Sequence, residues 1–288
     1  MVIEVLLMSV GLLGLLAASI SDLKTREVPD WISYSMIISG IVLRGMHSLV
    51  TKDWMYLGYG IIGFIITCVI GNLMFRAKQW GGGDAKLIMG IGIIFATRPS
   101  YLPPHGLPFL AITLVNIMII GAIYGLAYGV FLAIRNRKKF IPIAAQVNQE
   151  KKIKAIKVVA LAIAIAVIAI SKFSDIDVGI KMTLGIATLL VLLYPYVFIL
   201  IKGVEKACLF KHIPVNKLTP GDWVEQDVYK NGKIIYRKKQ LGIEKEDIIK
   251  LTKARIKEVL VKEGIPFIPP FFLGTLLSVA TGMMMWLI

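Results

Sequence analysis

From residue 99 to residue 134 the chain carries no Asp, Glu, Lys or Arg, and the same holds for residues 54–75 and 265–288. A helix of about 20 such residues crosses the hydrocarbon core of a bilayer. Inside that core only helices and closed barrels satisfy their own backbone. Composition agrees. The 288 residues are 57% hydrophobic and 18% charged, and the mean hydropathy is +0.75. So few charges cannot cover a water-soluble domain of this size, which excludes a simple cytosolic enzyme. Such hydrophobicity also excludes disorder. The expected fold is an all-α polytopic membrane protein with about 6–8 transmembrane helices.

The first span is read over 2–20, with no basic segment before it of the kind that opens a cleavable signal peptide. A weaker one covers 31–50, with Arg44 and His47 near its far end, where long side chains snorkel to the interface. The third covers 54–75 and a short fourth about 85–97. Pro103, Pro104 and Pro108 mark a loop before a fifth over about 108–134. The sixth, about 156–171, is short unless Lys157 snorkels; the seventh runs about 178–201 and the eighth 265–288.

Three regions follow. Residues 1–201 form a membrane domain with a basic loop at 135–155, 202–263 a small polar α/β insert, and 264–288 a C-terminal membrane helix. Within the insert, Asn231-Gly232 signals a hairpin. The apolar positions Ile248, Ile249, Leu251, Ile256, Val259 and Leu260 suggest a helix over 244–262. About 60 residues are marginal as an independent domain, so the insert is expected to lean on the membrane part.

Lys and Arg number 33 against 18 Asp and Glu, a net charge of +15. On a chain this apolar the excess reads as membrane topology, with no nucleic-acid partner expected. Eight crossings place the basic segments 21–29, 76–83, 135–155 and 202–263 on one side, expected to be cytoplasmic; Lys52, Arg98 and Lys172 lie on the other. Cys68 and Cys208 have dissimilar surroundings and are not expected to bridge. No CxxC, HExxH, GxSxG or Walker A pattern is present, so neither a metal nor a cofactor is expected.

The topology alone puts two acids together. Asp22 ends the first span and Asp84 begins the fourth, at the same depth on the same side. Two carboxylates held close share one proton. One member then takes a proton from water while the other donates to a scissile carbonyl. A helix cap or a headgroup-level charge explains either residue by itself. Asp84 follows Gly81-Gly82-Gly83, where a helix N-terminus favours a carboxylate and glycines admit close backbone approach.

Gly81-Gly82-Gly83-Asp84-Ala85-Lys86-Leu87 resembles the GxGD motif of the type IV prepilin peptidases, including the archaeal preflagellin peptidases. Ser21-Asp22-Leu23-Lys24-Thr25-Arg26-Glu27-Val28-Pro29-Asp30 is similar to their first aspartate segment, and Gly264-Ile265-Pro266-Phe267-Ile268-Pro269 to the segment opening the last helix of archaeal members. The resemblance spans about 1–135 and 215–274. It implies a GxGD protease fold and an aspartic endopeptidase that removes short basic leader peptides from pilin-like or archaellin precursors, which carry class III signal peptides, at the cytoplasmic membrane face. By that match Asp22 and Asp84 are the catalytic pair, Gly81 and Gly83 the motif glycines, and Lys86 fills a common family position. The chain lacks the cysteine tetrad of bacterial members that also methylate, so the implied reaction is cleavage alone.

Glu27 is a candidate substrate contact. Asp30 reads as an N-cap, and Asn72 and Asn116 as bonds between helices. Trp54, Tyr56, Trp80 and Trp286 read as interface anchors. Pro266, Pro269 and Pro270 favour a broken helix near the catalytic face. Competing readings are a presenilin or signal-peptide-peptidase-like protease, whose aspartates lie deeper, a proton-coupled transporter using both acids as a relay, and a non-catalytic assembly scaffold.

Overall fold

The first helix, α1 (Val2–Thr25), buries Leu7, Gly11, Leu15, Ala18 and Asp22 on one stripe and turns Leu6, Leu13 and Leu16 outward. An exposed apolar face of this kind suits lipid. The computed structural model describes residues 2–77, 79–173, 177–230, 232–239 and 242–284. Among them five helices are long and apolar enough to cross a membrane: Val2–Thr25, Trp54–Arg76, Phe109–Arg135, Lys151–Lys172 and Val178–Leu209. The chain is a multi-pass membrane protein, mostly helical, with a small sheet region.

The centre of the molecule is α4 (Gly82–Ile94), enclosed by α1, α2 (Asp30–Thr51) and α3 (Trp54–Arg76). Its 13 residues give a rod of about 20 Å at 1.5 Å per residue, shorter than a full crossing. It is apolar all round, and Leu87, Ile88, Ile91, Ile93 and Ile94 are all buried. The stripe that receives it consists of the four buried residues of α3: Gly60, Gly63, Thr67 and Gly71. A Cβ placed on Gly63 would stand 2.2 Å from the Gly92 carbonyl oxygen, and one on Gly71 2.7 Å from that of Ala85. Small residues let the two backbones touch, the usual device where no hydrophobic effect drives helices together.

Arg44 does not snorkel. It is fully buried, and its guanidinium donates to Ile93 O at 2.6 Å, Tyr56 O at 2.9 Å, Ile94 O at 3.1 Å and Thr97 Oγ1 at 3.1 Å. Helix α4 ends inside the protein, so its last carbonyls need donors and carry the negative end of the helix dipole. Arg44 supplies both hydrogen bonds and charge. It also draws in Tyr56, whose ring lies 4.6 Å from the guanidinium carbon, so Tyr56 is not an interface anchor.

Helix α10 (Ile268–Thr281) packs between α1 and α5 (Phe109–Arg135). Its prolines fall in the first turn, where a missing N–H is harmless. Gly274 lies against the backbone of α5, and a Cβ placed there would stand 2.6 Å from the Ile117 Cα. Asn116 donates to Ser278 Oγ and Met283 O. Asn116 thus bonds between helices as expected. Asn72 instead donates to Cys68 O within its own helix. The expected span 265–288 is a helix only over Ile268–Thr281; residues 285–288, including Trp286, lie outside the described residues.

The expected loop at 135–155 is a helix, α6 (Arg137–Gln149), that tolerates Pro142, and it leads straight into α7 (Lys151–Phe173). The sixth span is therefore of full length, starting at lysines that an apolar count leaves out. Helix α8 (Val178–Val204) pairs with α7, and Gly203 lies under the Phe140 ring of α6.

The insert holds an antiparallel sheet in the order β1 (Phe210–Pro214), β5 (Glu258–Lys262), β2 (Trp223–Val224), and a hairpin of β3 (Val228–Lys230) and β4 (Lys233–Tyr236). Gly232 turns the hairpin at φ +75°, while Asn231 lies outside the described residues. The helix expected over 244–262 stops at Lys253: α9 (Lys245–Lys253) ends, Arg255 takes a left-handed φ of 52°, and 258–262 is strand. The positions 256, 259 and 260 fit a helix, but Val259 and Val261 alternate inward, and β-branched residues favour the strand. A core of Val215, Val224, Tyr236, Leu251, Val259 and Val261 holds the insert together.

Candidate active site

Asp22 lies in the last turn of α1, buried, and its Oδ2 accepts the N–H of Ile268 at 2.8 Å. Ile268 opens α10, so Asp22 satisfies one of the orphan donors at that helix N-terminus. Asp84 lies in the first turn of α4, half-buried, and its Oδ2 accepts the N–H of Gly81 at 2.9 Å. Each carboxylate therefore faces the positive end of a helix, Asp22 that of α10 and Asp84 that of α4, where an anion is favoured. The two carboxylates stand within electrostatic reach of each other.

Local sequence explains the approach. After Asp22 the chain turns at Arg26, which has a φ of 59°, and Ser21 Oγ donates to Glu27 O at 2.9 Å. This folds Val28 back against the glycine turn. A Cβ on Gly83 would meet Val28 Cβ at 3.0 Å, so Gly83 allows the two aspartate segments to touch. Gly81 has an ordinary φ of −71°, and a Cβ there would meet only the Asp84 side chain. Its role here is its N–H.

Contacts from residues beyond 260 complete the site. Arg26 donates through Nη1 to Gly264 O at 2.8 Å and pairs with Glu263 at 2.8 Å. This ties the strap from β5 to α10 across the end of α1. Trp80, just before the glycine turn, packs edge-on against Phe271 of α10 at 5.2 Å, and Phe267 meets Phe271 at 6.0 Å. Trp80 is thus a link between the Asp84 turn and the Asp22 strap rather than an interface anchor; Trp54 stays exposed. Composition gave no sign of these roles. The Ile-Pro-Phe-Ile-Pro spelling was the available signal, and the non-helical backbone at 264–267 does lie beside Asp22, as the prolines suggested.

Glu27 is exposed, at the seam with the insert. Burial raises the carboxyl of Asp222 above its usual range; the Thr219 N–H opposes this, and the nearby Glu27 and Glu263 carboxylates add to the rise. The insert therefore sits against the same end of the bundle as Asp22. Asp30 is not a cap: it occupies the first turn of α2 and pairs with Lys86 Nζ at 2.7 Å, tying α2 to α4. Cys68 and Cys208 are free.

Two carboxylates at one end of a helix bundle, each held by backbone N–H and one facing an exposed edge, can divide acid and base roles between them. The type IV leader peptidase family profile matches residues 9–129. The preflagellin peptidase of Methanocaldococcus jannaschii is 44% identical over 103 residues, 36% of this chain and 42% of that protein. The preflagellin peptidase of Methanococcus voltae is 43% identical over 96 residues, 33% of this chain and 40% of that protein. Prepilin peptidase EppA of Methanothermobacter thermautotrophicus is 32% identical over 101 residues, 35% of this chain and 26% of that protein. The match thus spans about two-fifths of the length of the first two relatives. No solved structure matches the chain significantly. The matched residues 9–129 hold Asp22, the glycine turn and Asp84.

Proposed function

We propose that this protein is a membrane aspartic endopeptidase that cleaves the short basic leader from pilin-like or archaellin precursors at the cytoplasmic membrane face. The observation that carries this reading is that Asp22 and Asp84 lie at one end of the bundle, their segments in contact where Val28 packs on Gly83, within the matched segment 9–129. One carboxylate takes a proton from a water molecule, whose oxygen adds to the scissile carbonyl carbon. The other, protonated, gives its proton to the carbonyl oxygen, and collapse of the tetrahedral intermediate releases the new amine with a returned proton. Asp22 lies in the last turn of α1 and Asp84 in the first turn of α4. That depth favours a junction presented at the surface over a cut in mid-bilayer.

Residues 81–84 and the strap at 264–267 supply backbone groups for local contact, with Glu27 as an anionic contact for the leader. Long-range attraction is not available, because a chain of net charge +15 repels a basic leader. The precursor's apolar helix supplies membrane retention and a high local concentration. The test is co-expression with candidate class III signal precursors, read as a size shift on a gel. A soluble peptide spanning only the junction is expected to be cut far more slowly than the membrane-held precursor. Absence of any size shift across the candidate precursors contradicts the assignment.

A further inference from the structure

We propose that Tyr124 is a substrate-contact residue of the Asp22 site, its phenol donating a hydrogen bond to a backbone carbonyl of the bound precursor. This rests on the proposed endopeptidase reading and adds a residue to it.

One turn before Tyr124, Gly121 lies under the Phe267 ring, with a Cβ position 2.8 Å from it. Phe267 immediately precedes Ile268, whose N–H binds Asp22. Residues 121 and 124 share a face of α5. That face therefore looks at the strap, and the Tyr124 phenol stands within electrostatic reach of the Asp22 carboxylate. It forms no hydrogen bond with Asp22 or with any other described residue, although Tyr124 is half-buried. Asp22 spends its Oδ2 on the Ile268 N–H, which leaves the phenol's proton for another acceptor. A peptide carbonyl of a precursor bound against the strap accepts from Tyr124. Tyrosine keeps its proton at neutral pH and so is a donor there.

The ring is held for this task. Tyr124 stacks on Tyr128 at 5.8 Å with a 26° interplanar angle, and Tyr128 meets Phe131 at 6.0 Å. The stack fixes the Tyr124 ring from behind and leaves its hydroxyl free. Neighbouring Ile123 and Leu126 point away to the exposed side of α5.

The experiment uses the full chain in liposomes with a precursor that the unaltered enzyme cleaves. Tyr124→Phe removes only the hydroxyl and keeps the stack. The expected result is a fall in kcat/KM of roughly 10- to 100-fold, the loss of one donor at the reacting carbonyl, with an unchanged unfolding midpoint. Tyr194→Phe, at an exposed phenol on α8, should cleave at the normal rate. As a second measurement, p-benzoylphenylalanine replacing Tyr124 in an Asp84→Asn background should photocrosslink the uncut precursor, and the same group replacing Ile123 should not. Normal cleavage by Tyr124→Phe, or equal crosslinking at both positions, overturns the inference while leaving the endopeptidase reading intact. Failure of the unaltered enzyme to cleave any precursor overturns both.

Discussion

Helices α4 and α7 are both apolar, yet they occupy opposite kinds of place. Helix α7 belongs to the span of highest mean hydropathy, 2.6, but only 17% of its most apolar window is buried. Helix α4 is shorter, contains Gly90 and Gly92, and is enclosed by α1, α2 and α3. In a bilayer apolar character selects lipid as readily as protein. Backbone proximity and satisfied polar groups decide which helix becomes core, and α4 has both. Gly63, Thr67 and Gly71 let α3 touch it, and Arg44 closes its C-terminus. The inner helices hold the aspartates and the family match ends within α5, so α7 and α8 lie outside it.

Breaking the polar anchor should have the largest effect. Arg44→Met leaves the buried carbonyls of Ile93, Ile94 and Tyr56 without their donor, and should cost about 4 kcal/mol of stability, read as a lowered unfolding midpoint in detergent. Arg44→Lys should recover only part, because an ammonium cannot reach the same carbonyls as a fork. On the seam, Gly63→Ala forces a methyl to 2.2 Å from the Gly92 oxygen and should cost about 3 kcal/mol. The matched change on the outer pair, Gly185→Ala, meets nothing within 4 Å and should be neutral or slightly stabilising. Equal effects of the two glycine changes would erase the distinction between inner and outer helices.

Smaller effects separate holding the site from holding the fold. Gly83→Ala pushes on Val28 at 3.0 Å, a contact that can yield by small shifts. It should lower precursor cleavage about tenfold, some 1.4 kcal/mol, while the unfolding midpoint stays nearly constant. The insert offers the mildest test. Burial of Asp247 acts to raise its carboxyl, but the Lys239 ammonium at 2.6 Å and the Glu244 N–H outweigh it and hold it below the usual range. A lowered native value means stability that is present above the unfolded value, near pH 4, and lost as pH falls through the native one. Thermal unfolding of the insert followed from about pH 6 to about pH 2 should show this loss, and Lys239→Met should flatten it.

Much of this arrangement was legible in the sequence, for definite reasons. Charge-free runs mark the helices Trp54–Arg76 and Phe109–Arg135 to within a residue or two, because bilayer thickness leaves little choice. Alternation of crossings puts Asp22 and Asp84 at one end of the bundle, and the structure places them there. What stayed hidden depends on partners distant in sequence. Arg44 looked like an interface residue because its acceptors lie 49 and 50 residues away. The donor to Asp22 is 246 residues away, and Trp80 meets Phe271 across a similar gap. The small residues of α3, spaced at 60, 63, 67 and 71, were readable as a packing stripe, but hydropathy alone passes over them. In the insert, residues 256–260 satisfy helical and strand periods equally, and only the turn at Arg255 decides between them.

The central claim is that Asp22 and Asp84 act as one unit, and single substitutions of the purified protein in liposomes test it most directly. With a precursor that the unaltered enzyme cleaves, Asp22→Asn and Asp84→Asn should each abolish turnover, since one carboxylate cannot serve as both acid and base. Asp30→Asn, which loses only an exposed pair with Lys86, should remain active, and all three should insert and unfold like the parent. Substantial cleavage by either Asp22→Asn or Asp84→Asn would contradict the account.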